Sequence, residues 1–323
     1  MSSQKSAAPL PPALAASLCL ALATIIWGAA FPVSKLVLAD MDALSMTLVR
    51  YGFAAPIFVA LLVWREGTGA LRTEGATWRL LGLGTLGFAG FNLLMFYAVG
   101  MSRPEFGAIV MALQPLIAVL IHALRSGSRP AARTWLALAL AVVGVVLLTT
   151  DGQLSRLTEH AAVLPTLMMI AGGSCWVLYS MGAAAFPTWS PLRYTALTGS
   201  AGGLALLLMW LVLGAAGGLR LPALSALPAL TPALLFLTLL AAVLAVLSWN
   251  AGMRKLGAQR GMLFINLVPL TALAIGVLRG HPLGYGELTG AVLVLASLAL
   301  NQLGAAKPGR PVATPPVVLA TAK

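Results

Sequence analysis

Charged residues are scarce in this sequence, where Asp, Glu, Lys and Arg together make up 9% of 323 residues. An ordinary soluble domain carries about 25% of its residues as charges, so this scarcity excludes a water-soluble globular fold. Acidic residues are the rarer sign, with eight against 20 basic ones. The basic residues are scattered singly between apolar runs and form no continuous basic face, which argues against nucleic acid as a partner.

Residues that build metal centres, disulfides and catalytic sites are also few. Both cysteines, Cys19 and Cys175, lie inside apolar runs, where neither a disulfide framework nor a thiolate metal site is indicated. The three histidines are far apart and lack metal-ligand spacing. No pair of nucleophile and base is visible in any apolar run. We therefore expect no metal, no cofactor and no enzymatic activity.

Long apolar runs are what the sequence has instead, with 60% hydrophobic residues and a mean hydropathy of +0.95. A helix needs about 20 mainly apolar residues to cross a bilayer. Ten runs reach this length, which predicts an all-α polytopic membrane protein with ten transmembrane helices. The predicted helices span 13–37, 43–64, 77–99, 104–125, 132–150, 162–184, 190–214, 230–252, 260–279 and 284–304.

The distribution of Lys and Arg predicts how the chain is oriented in the membrane. With the N-terminus in the cytoplasm, thirteen of the 20 fall on the cytoplasmic side and five on the opposite side, while Arg50 and Arg193 lie within helices. Cytoplasmic loops of membrane proteins carry the excess of basic residues. We therefore expect both termini in the cytoplasm and a location in the plasma membrane, which in a bacterium is the inner membrane.

The two halves of the chain resemble one another, because glycine, proline, tryptophan and arginine recur in register. Five helices per half is an odd number, so the second copy must enter the membrane from the opposite side, as an inverted repeat. The matched pairs are Gly100 with Gly252, Gly107 with Gly261, Pro115 with Pro269, Trp27 with Trp176 and Arg50 with Arg193. The predicted organisation is a disordered tail at 1–12, a first repeat at 13–150, a loop at 151–160, a second repeat at 161–304 and a disordered tail at 305–323.

Two prolines near the centres of their predicted helices are candidate hinges. Pro115 and Pro269 each free the carbonyl four residues earlier, and each has a polar neighbour, Gln114 or Asn266. Transporters built from inverted repeats place their substrate site where such broken helices expose backbone groups to a cavity. The alternative is that both prolines only kink their helices for packing.

Aromatic residues and one buried cation complete the predicted site. Arg50 lies about eight residues inside its helix, where its guanidinium could bind a substrate carboxylate or tie down freed backbone carbonyls. No Asp or Glu falls in the middle of a predicted helix, so a neutral or zwitterionic substrate fits better than a polycation. The predicted substrate-binding residues are Trp27, Phe31, Arg50, Tyr97, Gln114, Trp176, Tyr179, Trp249 and Asn266.

Six stretches carry a pattern shared with a known family, namely 27–35, Arg50, 107–115 and 141–148 in the first half and 261–269 and 288–297 in the second. Together they resemble the two repeats of EamA-type transporters in the drug/metabolite transporter superfamily. The resemblance covers residues 13–304 and implies a membrane transporter, mostly exporting metabolites, with ten helices around a central cavity. YddG-like exporters of aromatic amino acids belong to this group.

The chain departs from the family pattern at two loops. Family members often carry Leu-Gly-Glu before the fifth and tenth helices, whereas residues 126–129 read Ser-Gly-Ser-Arg here and residues 279–281 read Arg-Gly-His. A mechanism that relies on those acids is therefore in doubt for this chain.

Three classes of function come into question for a chain of this kind: an exporter of amino acids or metabolites, a membrane-embedded enzyme, for which no catalytic constellation is visible, and a non-transporting scaffold. The favoured one is an exporter of small molecules, above all aromatic or large apolar amino acids, and the alternative is an exporter of other organic solutes or drugs. A non-transporting scaffold in the lipid bilayer would not need matched proline and tryptophan positions. Closely spaced glycines in residues 199–203 leave a homodimer open as well.

Overall fold

The computed structural model describes residues 11–127, 129–153, 160–256 and 262–303, and every regular element in these ranges is a helix. Residues 1–10 and 305–323 of the predicted tails and residues 154–159 of the predicted loop lie outside the described residues. So do residues 260, 304 and the matched glycine Gly261 of the second predicted repeat. Within the described ranges, seven helices are long and apolar enough to cross a membrane, or up to eight if one bent pair forms a single span. The chain is therefore an all-α, multi-pass membrane protein.

The helices follow the apolar runs of the sequence. The first half of the chain forms α1 (Pro12–Val37), α2 (Ala43–Glu66), α3 (Thr77–Met101), α4 (Pro104–Ala112), α5 (Gln114–Ser126) and α6 (Ala132–Thr150). The second half forms α7 (His160–Gly182), α8 (Pro191–Ala215), α9 (Leu224–Leu256), α10 (Leu267–Leu278) and α11 (Tyr285–Leu303). The bent pair is α4 with α5, whose axes differ by 44°.

Helix ends are set by local sequence signals. Asp42 accepts a hydrogen bond from the backbone N–H of Ser45 and begins α2, while Ser190 accepts from the N–H of Arg193 and begins α8. Such side chains satisfy N–H groups that have no partner inside the helix. Gly127 ends α5 with a φ of +66°, a left-handed conformation that side-chain-bearing residues rarely adopt.

Two helices contain π-helical turns, at Thr85–Gly90 within α3 and at Phe236–Leu244 within α9. A π turn shifts the backbone hydrogen bonds by one residue and so leaves carbonyl groups available to side chains. Asn92 donates from Nδ2 to the carbonyl of Phe88 at 2.9 Å, and Arg50 donates from Nε to the carbonyl of Leu237 at 3.3 Å. The irregular turns therefore serve as anchoring points for polar side chains in an otherwise apolar bundle.

Helices α6 and α11 pack backbone against backbone. A Cβ atom on Gly144 would lie 2.8 Å from the carbonyl oxygen of Gly290, and a Cβ on Gly290 would overlap the carbonyl of Gly144. Further along, Asp151 just beyond the end of α6 abuts Gly284 and Gly286 at the start of α11. The contacts run in opposite directions along the two helices, which are therefore antiparallel.

Helices α2 and α8 are antiparallel as well. Trp210 near the end of α8 donates from Nε1 to the hydroxyl of Ser45 at the start of α2, at 3.0 Å. At the other end, Ser190 donates to the carboxylate of Glu66 at 2.5 Å. Large apolar side chains on the outer face of α8, such as Val212, are exposed, as expected for a surface in contact with lipid.

Candidate functional site

A cavity of about 620 Å³ lies between the two halves of the chain. Its walls come from α1 and α5 in the first half and from α7, α8 and α9 in the second, together with the connection between α7 and α8. The described side chains that line it are uncharged, and aromatic rings are prominent among them. These rings belong to Trp27, Trp176, Tyr179, Phe186, Trp189, Tyr194 and Trp249.

One aromatic wall joins α1 to α9. The rings of Trp27 and Trp249 have their centroids 5.3 Å apart at an interplanar angle of 50°. Trp27 also donates from Nε1 to the carbonyl of Ala241, at 3.0 Å, within the π-helical part of α9. A hydrogen bond at one edge and a ring contact at the face fix the orientation of the indole, so Trp27 presents a preformed surface to the cavity.

The other aromatic wall is built by α7 and α8. Tyr179 and Tyr194 stack with centroids 5.2 Å apart, and the hydroxyl of Tyr194 donates to the carbonyl of Tyr179 at 2.7 Å. Trp176 lies 5.2 Å from Tyr179 on the same helix. Tyr179 reaches into the bundle because Gly87 in the π turn of α3 has no side chain to obstruct its ring. The π-helical turn of α3 thus supports the aromatic wall formed by α7 and α8.

Gln114 places an unsatisfied amide nitrogen at the cavity. Its side chain is only 5% exposed, and its Nε2 has no hydrogen-bond partner among the described residues. A buried N–H group without a partner costs about 1–3 kcal/mol, so this nitrogen favours any ligand that brings an acceptor. Asn250, another polar side chain of the lining, donates to the hydroxyl of Thr195 at 3.4 Å.

The predicted hinge prolines stand directly after breaks between helical segments. Pro115 is the second residue of α5, next to the bend, and it lines the cavity. Pro269 is the third residue of α10, which follows the 3-10 turn Met262–Asn266, and it is buried outside the cavity lining. Proline has no N–H to continue the preceding hydrogen-bond ladder, which accounts for the interruption at both places.

Four of the predicted binding residues do not line this cavity: Phe31, Arg50, Tyr97 and Asn266. Phe31 is buried against Gly107, where a Cβ atom would lie 2.8 Å from its ring. Tyr97 is 40% exposed on α3. Asn266 has a buried Oδ1 without a partner among the described residues, close in sequence to the cavity residue Ile265. These four residues differ from the others in the helix face on which they lie, because only some faces point toward the cavity.

Arg50 is 5% exposed and its guanidinium is bound by protein groups. It donates to the carbonyl of Leu237 and, from an Nη atom, to Oδ1 of Asn92 at 3.0 Å, while its Cζ lies 4.9 Å from the ring centroid of Phe96. No carboxylate of the described residues forms a salt bridge with it. These contacts join α2, α3 and α9 beside the cavity. They match the role in which Arg50 ties down freed backbone carbonyls.

Arg193 does not repeat the environment of Arg50. It donates at 2.7 Å both to the carbonyl of Arg72 and to the carboxylate of Glu74, in the loop between α2 and α3. Hydrogen bonds from Trp189 and Arg193 lower the pKa of Glu74 below its usual value. Arg193 therefore holds a loop at the end of the bundle, although its sequence position matches that of Arg50.

A partly buried ionic cluster, which sequence reasoning missed, joins the starts of α4 and α11. Arg103 lies 2.7 Å from both carboxylate oxygens of Glu287 and 3.6 Å from the carboxylate of Glu105. Glu105 is 4% exposed and abuts the backbone of Gly276 in α10. Acidic residues at helix starts are usually solvated. The one sequence signal that could have indicated burial is that Glu105 and Glu287 each stand at the beginning of an apolar run.

The cavity and the ionic cluster lie toward opposite ends of the bundle. Lys35, near the end of α1, donates at 2.7 to 2.9 Å to three carbonyls at the end of α3, beside Arg103. The cavity extends instead to Met253 in α9. The adjacent Gly252 contacts Leu20, in the first half of α1. The described structure thus has its aromatic cavity toward one end and the cluster of Arg103, Glu105 and Glu287 at the other.

Comparison with known proteins agrees with this architecture. Residues 14–150 and 164–302 each match the EamA-like transporter family. The uncharacterized transporter YrdR of Bacillus subtilis (strain 168) is 32% identical over 292 residues, which cover 88% of this chain and 90% of the relative. The uncharacterized transporter YyaM of the same organism is 28% identical, over 84% of this chain and 88% of its own.

A more distant relative and a solved structure are also similar to this chain. A probable amino-acid metabolite efflux pump of Escherichia coli (strain K12) is 29% identical over 160 residues, 48% of each chain. A solved crystal structure aligns with 91% of this chain and 99% of its own, with a TM-score of 0.63 and 19% sequence identity. At that identity the likeness concerns the fold alone.

Proposed function

Since the chain belongs to the EamA-like transporter family, within the drug/metabolite transporter superfamily, we propose that it exports small organic molecules, with amino acids favoured, by alternating access. The aromatic cavity of about 620 Å³ is the observation that carries this proposal. Its volume falls within the range of small-molecule sites, about 300–1,000 Å³. Export agrees with the name of the distant relative, a probable amino-acid metabolite efflux pump.

The chemistry of the lining favours amino acids with large apolar side chains. Rings of Trp27, Trp176 and Trp249 offer stacking surfaces, each worth about 0.5–1.5 kcal/mol beyond area burial. The amide nitrogen of Gln114 can donate to a carboxylate. None of the described residues that line the cavity is charged, so a zwitterion with balanced charges suits it better than an organic cation.

We infer ten transmembrane helices, with α4 and α5 forming one bent span and the shorter apolar helices α10 and α11 crossing as well. The two repeats, 13–150 and 161–304, are then inverted relative to each other. In this scheme α2 corresponds to α8 and α6 to α11, and an inverted repeat requires each of these pairs to be antiparallel. The contacts of Ser45 with Trp210 and of Gly144 with Gly290 belong to antiparallel helix pairs, which supports this scheme.

In alternating access, one end of the helix bundle is closed while the other is open, and hinges allow the two ends to exchange these states. The ionic cluster of Arg103, Glu105 and Glu287 closes one end, and the cavity opens toward the other. Pro115 and Pro269 are the proposed hinges, about which α5 and α10 tilt when the closure moves from one end to the other. The cytoplasmic termini and the inner-membrane location remain part of this proposal.

Cysteine labelling tests the inverted topology. Pro130→Cys lies between α5 and α6, and His281→Cys lies in the corresponding loop between α10 and α11, both in a background with Cys19 and Cys175 replaced by Ala. We expect a membrane-impermeant maleimide to label the two variants from opposite sides, with position 130 cytoplasmic. Labelling of both from the same side would rule out the inverted arrangement.

Transport in proteoliposomes tests the substrate class. Radiolabelled Phe, Trp and Met are measured in uptake and efflux, with and without a pH gradient, beside the corresponding amines. We expect the amino acids to move faster than the amines. A protein that moves only organic cations would refute the amino-acid assignment.

The aromatic wall is tested by Trp176→Ala, which removes a stacking surface from the cavity. The loss of about 1.4 kcal/mol of binding corresponds to a tenfold weaker apparent affinity for Phe. Trp78→Ala is the matched control, because Trp78 is 84% exposed and lies outside the cavity. Equal affinities for both variants would exclude Trp176 from the binding surface.

A further inference from the structure

A second cavity, of about 380 Å³, is framed by α1, α2, α8 and α9 at one end of the bundle. Arg65 is the second-last residue of α2, and Pro191 is the first residue of α8. Arg254 and Lys255 lie in the last turn of α9. Helix ends of this kind lie near the boundary between hydrocarbon and headgroups, so the cavity faces the interface and not the centre of the bilayer.

The charge of this cavity is uncompensated. Arg65, Arg254 and Lys255 line it, and no acidic side chain of the described residues does. Among the described residues, the ion pairs of the chain involve only Arg103 and Arg193 as cations. Arg65 contacts the ring of Trp64, with 5.8 Å between its Cζ and the ring centroid, and the neighbouring Glu66 accepts a hydrogen bond from Ser190. The three cations of this cavity thus form no salt bridge within the described residues, which favours an anionic ligand.

Apart from Ser248 and Asn250, the remaining walls are apolar, and they continue onto the lipid-facing surface. Leu61, Leu192 and Leu247 line the cavity. Leu18 and Leu22, which flank the cavity residue Cys19 on α1, are exposed on the outside of the bundle. A free anion would use only the cations, whereas an amphiphile would use both surfaces.

We propose that this cavity binds the headgroup of an anionic phospholipid. The phosphate contacts Arg65, Arg254 and Lys255, and the acyl chains run along the leucines toward the bilayer. The site shares Pro191 and Asn250 with the larger cavity, so a bound lipid would rest against the junction of α8 and α9. This lipid site does not depend on which solute the protein transports.

Lipid binding to the purified full-length chain tests the proposal. Dioleoyl phosphatidylglycerol and dioleoyl phosphatidylcholine are titrated in a neutral detergent, and bound lipid is counted by native mass spectrometry. We expect one phosphatidylglycerol to bind more tightly than phosphatidylcholine. Each cation contributes about a fivefold factor, so R65Q/R254Q/K255Q should weaken phosphatidylglycerol binding on the order of 100-fold.

A matched control separates this site from general attraction between charges. R72Q/R125Q/R133Q removes the same number of exposed cations outside the cavity, and its binding should stay within about twofold of the unaltered protein. Equal weakening in both triple variants would overturn the proposal. Displacement of the lipid by inorganic phosphate at equal concentration would also overturn it. If the first triple variant does not fold, its three single variants carry the test, each with an expected fivefold loss.

Discussion

Replacing Gly290 by Ala is expected to lower the free energy of unfolding by about 3 kcal/mol, near the upper end for overpacking a well-filled interface. A Cβ atom at this position would overlap the carbonyl of Gly144 and the backbone nitrogen of Leu148. Backbone atoms cannot swing aside as a flexible side chain can, so α11 would have to move away from α6. The midpoint of unfolding in sodium dodecyl sulfate measures the loss.

Glycines in open positions provide the control for this substitution. A Cβ atom at Gly82 or Gly100 would meet nothing within 4 Å. Alanine favours a helix over glycine by about 1 kcal/mol, so Gly82→Ala and Gly100→Ala should leave stability unchanged or raise it slightly. If Gly290→Ala behaved like these two, the close packing of α6 on α11 would be wrong.

Replacing Arg50 by Gln is expected to cost about 3 kcal/mol of stability and to reduce transport of Phe and of its amine equally. The substitution leaves the carbonyl of Leu237 and the amide oxygen of Asn92 without their donor inside the bundle. Each unsatisfied buried group costs about 1–3 kcal/mol. Asn92→Leu should cause a similar loss of stability, because it removes one end of the same hydrogen bond.

Arg125→Gln is the control for Arg50, because Arg125 is exposed at the end of α5. Surface substitutions of this kind change stability by about 0.5 kcal/mol or less. If Arg50→Gln abolished transport of Phe but spared its amine, Arg50 would bind the substrate carboxylate and not only backbone carbonyls. The comparison of two substrates therefore separates the two roles that the sequence leaves open.

Helix positions could be predicted because they depend on local composition. The run predicted at 132–150 is α6 (Ala132–Thr150), and the run predicted at 43–64 falls within α2 (Ala43–Glu66). Backbone N–H and C=O groups in lipid must form their hydrogen bonds within their own segment, so a long apolar run forms a helix. The transporter family could likewise be recognised from the sequence.

The composition of the cavity could be predicted only in part. Trp27, Gln114, Trp176, Tyr179 and Trp249 line it, whereas Phe31, Arg50, Tyr97 and Asn266 do not. Trp189 and Tyr194, which do line it, had no signal in the sequence that separates them from interfacial or packing aromatics. Depth in the membrane can be counted along the chain, but the rotation of each helix is set by its neighbours.

The sequence by itself determined that this chain is helical, crosses the membrane several times and belongs to a transporter family, because hydropathy and repeated motifs are properties of short segments. Only the tertiary structure decided which groups meet. Arg103 pairs with Glu287, 184 residues away along the chain, and Arg50 reaches Leu237 across 187 residues. The close approach of α6 to α11 at Gly144 and of Glu105 to α10 at Gly276 is likewise a property of the packed helices, and no local pattern specifies these contacts.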